Sequence, residues 1–321
     1  MPVTTGTASI APEFKTLYHR LMLLTPKPNL VYHLACAREP LPLGYGKTME
    51  FRRYENLPPQ TSPLADEINP PAEMTPTIST VTVNINEYGG ILKFSRLVQA
   101  TAYDDFVGTT AQRMGENMGI SLDLITRNVL LPPTGVAFTM VTPRGKALGS
   151  LTASDVMDYD TLLRAVRILR ANNAQPIVGQ RPHGRFLGII NEGVWEQMMK
   201  DPTIREILQY SLPRSEQHPF FSGEIVHLLG VDFLVTSQAP TVEAGAWGTG
   251  VPAVRCNRTL IVGREAAVAT ELDQISTDII IRLPQVDSGD PFGRLGWVGW
   301  YAAYGTAVLN NQFGVEILTA A

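Results

Sequence analysis

The sequence predicts an α+β chain, and three observations carry that reading. An alternating segment over 48–57 and a second over 77–86, rich in β-branched residues, flank a proline-rich stretch. One unbroken helical stripe of apolar residues runs from Val107 to Val129. A long aromatic segment near the C-terminus, 296–309, is strand-like again.

In chain order, 12–24 reads as a short amphipathic helix. Phe14, Leu17, Tyr18, Leu21 and Leu24 recur at helical spacing, and Pro26 and Pro28 end it. The pattern serves equally a helix packed on its own domain and an arm packed on a neighbour.

Segments 48–57 (TMEFRRYENL) and 77–86 (TISTVTVNIN) then read as the arms of a hairpin. Between them lie Leu57, Leu64 and six prolines: Pro58, Pro59, Pro63, Pro70, Pro71 and Pro76. Proline fixes φ and removes a backbone donor, so the tip is stiff and does not extend the ladder. Roughly eight to ten residues per arm, at ~3.3 Å each, reach about 30 Å. A two-stranded hairpin of that reach is marginal alone, so it needs a surface to lie on, most simply another subunit. Arg52, Arg53 and Tyr54, with the proline-rich tip, are the expected anchors, because Arg pairs well with a carboxylate at such a contact. An ordinary solvated strand face is the competing reading. Gly89-Gly90 predicts a bend before a further short strand over 91–94.

A long helix follows. Asp104-Asp105 suit its start. Val107, Ala111, Met114, Met118, Leu122, Ile125 and Val129 form the stripe, and Pro132-Pro133 stop it. About 27 residues at 1.5 Å make a rod of roughly 40 Å. Gly108, Gly115 and Gly119 flank the stripe, each costing about 1 kcal/mol relative to alanine. Curvature would explain them; close approach of another backbone along that flank is the reading preferred.

Segment 136–142 is a short strand, and Thr152–Asp155 resembles a capping box opening a second helix. There Leu162, Val166 and Leu169 face inward, while Arg164, Arg167 and Arg170 form a solvated or interface face. The stretch 177–270 is mixed: strands over 186–190, 231–236 and 258–262, a helix over 192–200, and Gly/Pro-rich loops over 176–185 and 237–256. A strand over 278–283 precedes the aromatic segment, whose Trp297, Trp300, Tyr301 and Tyr304 read as core. Asn310-Asn311 then turns the chain, and 313–318 returns as a closing hairpin.

Composition narrows the function. Only 17% of the 321 residues are charged, against ~25% in ordinary domains, and 27 Gly and 24 Pro are present. A charge-poor surface is expected where subunits cover one another. A net charge of −4 with six lysines and no basic stripe argues against a nucleic-acid binder. No apolar run approaches ~18 residues, so no transmembrane helix is expected. The N-terminus lacks a basic start and the apolar run 21–24 is too short for a secretory signal, so synthesis in the cytoplasm is expected. Cys36 and Cys256 make no disulfide framework.

Enzyme motifs fare poorly. The five histidines, His19, His33, His183, His218 and His227, include no i, i+4 pair, and no HExxH, CxxC or GxSxG occurs. Gly44-Tyr45-Gly46-Lys47-Thr48 ends like a phosphate loop, but Leu41 stands where its first glycine is needed. Gly245, Gly248 and Gly250 lack the strand-before, helix-after context of a dinucleotide site. No catalytic residue, cofactor or metal is therefore expected.

The ordered set of arm, projecting hairpin, long helix, mixed insertion and closing β segment resembles the coat-protein fold of tailed bacteriophages, the Hong Kong 97 type. The string over 30–59, LVYHLACAREPLPLGYGKTMEFRRYENLPP, is similar to the signature of the "N-four" phage coat family. TISTVTVNINEYGGILKFS, LTASDV…LLRAVRILRANNAQPI and GRLGWVGWYAAYGTAVLNNQFGVEI extend the likeness to 318. The resemblance implies an N-terminal arm over 1–46 and an extended loop over 47–95. It implies a peripheral domain over 96–176 and 271–321, with its spine helix over 104–131, and an axial domain over 177–270.

The resemblance further implies a major capsid protein. Pentamers and hexamers would close an icosahedral shell around double-stranded DNA, held without sequence-specific binding. The hairpin residues Arg52, Arg53, Tyr54, Leu57, Pro58, Pro59, Pro63, Leu64, Pro70 and Pro71, with Phe14, Leu17 and Leu21 of the arm, would contact neighbours. Gly108, Gly115 and Gly119 would serve packing along the spine. About 30 residues precede the matched region, which leads to the expectation of a separate scaffolding protein. A portal and a decoration protein are the further partners, with assembly in the host bacterial cytoplasm and the mature protein in the virion. An encapsulin-like nanocompartment shell is the alternative of the same fold. A soluble α/β enzyme with an unrecognised site is the alternative of another class.

Overall fold

A computed structural model describes residues 30–42, 44, 46–55, 57–59, 61, 74–102, 105–179, 184–211, 227–247, 252–272, 278–286 and 290–321. The expected helix over 12–24, with Phe14, Leu17 and Leu21, lies outside them, as do Pro63, Leu64, Pro70 and Pro71 of the hairpin tip.

The chain passes from β1 (Ala37–Arg38) into the hairpin arms β2 (Thr48–Tyr54) and β3 (Ile78–Asn84). Strand β4 (Asn86–Ser95), a short helix α1 (Arg96–Thr101) and the long helix α2 (Phe106–Leu130) follow. Then come β5 (Thr139–Val141), α3 (Tyr159–Ala171), β6 (Phe186–Ile190), α4 (Glu192–Lys200) and α5 (Pro202–Ser211). The second half is β7 (His227–Leu228), β8 (Val231–Val235), β9 (Thr241–Val242), β10 (Cys256–Val262) and β11 (Ala267–Glu271). The chain closes with β12 (Asp278–Arg282), β13 (Leu295–Val308) and β14 (Gly314–Ala320).

These strands make three sheets. The first runs β1-β11-β13-β12, with β4 along the other side of β13. The second runs β5-β14-β10-β6-β8-β7, with β9 on β10. The third is the hairpin β2-β3 by itself. Helix α2 lies on the first sheet, above β13. In the second sheet β6 and β10 are buried at every position, the signature of strands covered on both faces.

Several elements differ from the sequence reading, each for a physical reason. Segments 296–309 and 313–318 are strands, but they do not pair with each other. Strand β13 pairs with β4, β11 and β12, whereas β14 pairs with β10 and β5. All seven residues of β14 are buried, which suits a strand inside a covered sheet and not one arm of a surface hairpin. The turn at Asn310 therefore carries the chain from the first sheet to the second. The second sheet accordingly takes β5 and β14 from outside 177–270.

Gly89 and Gly90 make no bend. They sit inside the unbroken β4, where a Cβ on Gly90 would lie 2.7 Å from Trp300 Nε1 and one on Gly89 2.9 Å from Trp300 O. Gly90 makes room for the Trp300 indole, which donates to Asn117 Oδ1 at 3.0 Å, and Gly89 for the backbone of β13. Period-two alternation divides the aromatic cluster: Trp300 and Tyr304 are buried toward α2, and Trp297 and Tyr301 remain half-buried on the other face.

Helix α3 starts later than the Thr152–Asp155 pattern implies. Asp158 is its cap, accepting from the Thr161 N–H at 2.9 Å. Asp155 instead closes a local turn, accepting from the Thr152 N–H and from Lys146 Nζ, both at 2.7 Å. The Lys146 bond, ahead of the Thr152 contacts, holds the Asp155 carboxyl down to about 2. Leu162, Val166 and Leu169 are buried as expected.

Candidate functional site: surfaces for other copies

The hairpin is the first surface. Its register pairs Met49 with Val83, Phe51 with Val81 and Tyr54 with Ile78. Met49, Phe51, Val81 and Val83 share the face toward the body. Val83 is buried, while Phe51 and Val81 stand over a cleft of about 330 Å³ that Val268 and Phe313 line from below. The body thus supports the hairpin root, and among the described residues those farther out are exposed. Tyr54 is 66% exposed and its partner Ile78 48%, with Leu57, Pro58 and Pro59 exposed beyond them.

The three residues Arg52, Arg53 and Tyr54 do not share one face of the hairpin. Alternation puts Arg52 and Tyr54 on one face and Arg53 on the other. Each arginine is paired within its own strand region: Arg52 Nε donates to Glu50 Oε1 at 3.3 Å, and Arg53 to Glu55 Oε1 at 3.1 Å. Such exposed pairs contribute about 0–1 kcal/mol each. The apolar Tyr54–Ile78 pair is the stronger feature. Ile78 was missed in sequence because it opens an alternating run and stands out only once paired.

The arm is the second. Its described part belongs to the subunit's own core: Val31, Tyr32 and Ala35 pack with Leu130 and Leu131 at the end of α2. β1 adds in parallel to β11. Asp123, buried on α2, fixes this segment by accepting from the N–H groups of Val31 at 3.4 Å and His33 at 3.2 Å. Nothing local in the sequence marks Asp123, since its partners lie about ninety residues away. Asp123→Ala is expected to leave those donors short of a partner and to cost about 1–3 kcal/mol. Faster limited proteolysis near residues 30–36 than in the wild type would show it; unchanged cleavage would contradict it.

The helix α2 spans the expected length, but its deepest face is not the apolar stripe. Thr110, Asp123, Thr126 and Leu130 are buried, whereas the residues of the stripe are half-exposed. Polar residues occupy that face because they find partners there: Thr126 Oγ1 and Tyr304 OH lie 2.7 Å apart. Burial pushes the Tyr304 hydroxyl up to about 12, the Thr126 bond opposing it. Within this chain the three glycines meet side chains. A Cβ on Gly115 would lie 3.2 Å from Ile279 Cδ1, one on Gly119 3.1 Å from Leu30 Cδ1, and one on Gly108 against the capping Asp105.

A buried ion pair joins the parts. Arg258 of β10 and Glu316 of β14 are 1% and 0% exposed, with Nε to Oε1 at 2.5 Å. The guanidinium also donates to the carbonyls of Pro132 (2.6 Å) and Gly135 (3.2 Å), just past the end of α2. The Trp247 ring covers it at 4.9 Å and donates to Pro133 O. One side chain therefore ties the second sheet, the spine terminus and the 237–247 loop together. Burial pushes the Glu316 carboxyl upward, with Arg258 opposing.

Neither cysteine is set up for chemistry: burial pushes the Cys36 thiol up to about 12 and Cys256 upward as well. Among the described residues no acidic, histidine and cysteine side chains cluster as metal ligands, and no helix is long and apolar enough to cross a membrane.

A projecting hairpin with an apolar end stands on a body built around two further sheets and a long helix, an arrangement suited to contact with another copy. Residues 78–317 match the phage capsid protein family, and the chain belongs to that family. Its fold is shared with the capsid of cyanophage P-SCSP1u, at TM-score 0.73 and 13% identity over 100% of this chain and 97% of that one. The capsid of Ralstonia phage GP4 matches at 0.72 and 15%, over 99% and 98%. The capsid asymmetric unit of cyanophage Pam1 matches at 0.74 and 12%, over 100% and 99%. No curated protein matches the sequence. The α+β, Hong Kong 97-type fold expected from the sequence is the fold observed. The protein is a phage major capsid protein that forms a shell, and the nanocompartment and enzyme readings are not favoured.

Proposed function

We infer that this subunit closes an icosahedral shell of pentamers and hexamers around double-stranded DNA, each copy laying its hairpin across a neighbour. The observation that carries the hairpin's role is the exposed Tyr54–Ile78 end held out beyond a supported root. Many weak contacts of this kind add by avidity, so no single interface need be strong. The axial part over 177–270 gathers at the symmetry axes and the α2 part lies at the capsomer edge. A separate scaffolding protein guides closure in the host bacterial cytoplasm, and portal and decoration proteins complete the particle. The net charge of −4 supports containment of DNA without tight binding. The role is structural, with no catalytic step.

Expression of the chain with negative-stain imaging tests this. Closed isometric particles, and nuclease-protected DNA in particles from infected cells, are expected. A discrete monomer or dimer under assembly conditions contradicts it.

A further inference from the structure

Helix α3 carries a cationic face that the fold leaves unused. Leu162, Ala165, Val166 and Leu169 point into the core. Arg164, Arg167 and Arg170, three residues apart, share the outward side. Arg167 and Arg170 are exposed, and Arg164 is half-buried. Two glycines seat the outer members: a Cβ on Gly145 would lie 2.7 Å from Arg164 Nη2, and one on Gly230 3.3 Å from Arg170 Nη2. Arg144, exposed beside Gly145, adds a fourth cation. Among the described residues none of the four makes an ion pair or a side-chain hydrogen bond. The basic residues around them differ, with Lys146 paired to Asp155 and Arg185 to Asp232. Asp160, one turn before Arg164, is the nearest acid along the helix and does not pair with it.

The composition of this face identifies its ligand. A protein partner packs on an apolar centre from which charge is depleted. Here charges occupy the centre, and Leu163, 45% exposed, is the one large apolar side chain exposed on the helix. Interfaces with nucleic acid are instead polar and positive. A guanidinium is planar and weakly hydrated, and it meets a phosphate through two N–H donors. Arg164 to Arg170 cover roughly 9 Å of helix, a length over which one strand of duplex DNA presents about three phosphates.

We propose that α3 is a phosphate-contact face, at which each copy touches the backbone of the enclosed double-stranded DNA through Arg164, Arg167 and Arg170. The contact reads no sequence, because it reaches only phosphates. A few charges per copy bind weakly alone, in keeping with the net charge of −4, and the shell repeats them over its whole inner surface. This inference rests on the shell reading and deepens it, placing α3 on the lumenal side.

Salt titration of the full-length, unassembled subunit with a duplex of about 20 bp tests it. Log affinity is expected to fall against log salt with a slope of about −3, and Arg167→Gln with Arg170→Gln to shrink that slope by about 2. Arg167→Lys with Arg170→Lys keeps the slope. Both variants are expected to form particles as the wild type does, since neither side chain is buried. A slope that the glutamine variant leaves unchanged overturns the proposal, as does a wild type that fails to bind the duplex at low salt. Polyglutamate bound as tightly as the duplex would assign the face to an acidic protein, and loss of particles in the glutamine variant would assign it to a neighbouring copy; either overturns it. Failure of the wild type to form closed particles would instead refute the shell reading itself, whatever the duplex does.

Discussion

Replacing Arg258 with methionine is expected to destabilise the isolated subunit by about 3–5 kcal/mol. The variant leaves the Glu316 carboxylate, 0% exposed, without its cation. It also removes the donors to the Pro132 and Gly135 carbonyls, so the end of the spine helix loses its tie to the second sheet. A buried pair is weak evidence of net stability, because desolvation offsets much of the attraction. Breaking it is different from replacing it. Arg258→Met with Glu316→Leu is expected to recover most of the loss, since both charges then leave together. Urea unfolding of the unassembled subunit measures both variants. A loss below about 1 kcal/mol for Arg258→Met would show that the pair does not organise this junction.

Tyr54→Ser combined with Ile78→Ser is expected to abolish particle formation while the subunit stays folded. In the free subunit this exposed cross-strand pair contributes only about 0.2–1 kcal/mol. On a neighbour, a desolvated aromatic anchor contributes about 2 kcal/mol or more, and every copy in the shell repeats it. Sedimentation of assembly reactions, beside thermal unfolding of the subunit, separates the two effects. Normal particle yield would place the hairpin's energy elsewhere. Arg52→Ala with Arg53→Ala is a gentler change, because each arginine is half-exposed and already paired within its own hairpin.

How much of this was legible in the sequence follows from the range of each interaction. The arms of β2 and β3 and the length of α2 are set by local alternation, helical spacing and prolines, and they were readable. The partners of β13 and β14 were not. Two strands joined by a short turn read as a hairpin, yet what decides is that β14 is apolar on both faces and needs a covered position in another sheet. Gly89-Gly90 looked like a bend because Trp300, whose indole and backbone the pair accommodates, is more than two hundred residues away. Asp123 lies beside the apolar stripe of α2 and Arg258 inside β10, and neither is marked by its local sequence. Each gains its meaning from a partner distant in sequence, at Val31 and Glu316. The exposed surfaces were partly legible: the tip prolines and Tyr54 stood out, whereas Ile78 needed its pairing with Tyr54 to matter.

The central claim is that the exposed end of the hairpin, beyond its supported root, packs on a neighbouring copy. A cryo-EM map of the assembled particle tests it most directly. The account predicts the β2–β3 hairpin of one copy lying on a second copy, with Tyr54 and Ile78 buried in that contact. The same residues facing solvent in the closed particle would contradict it.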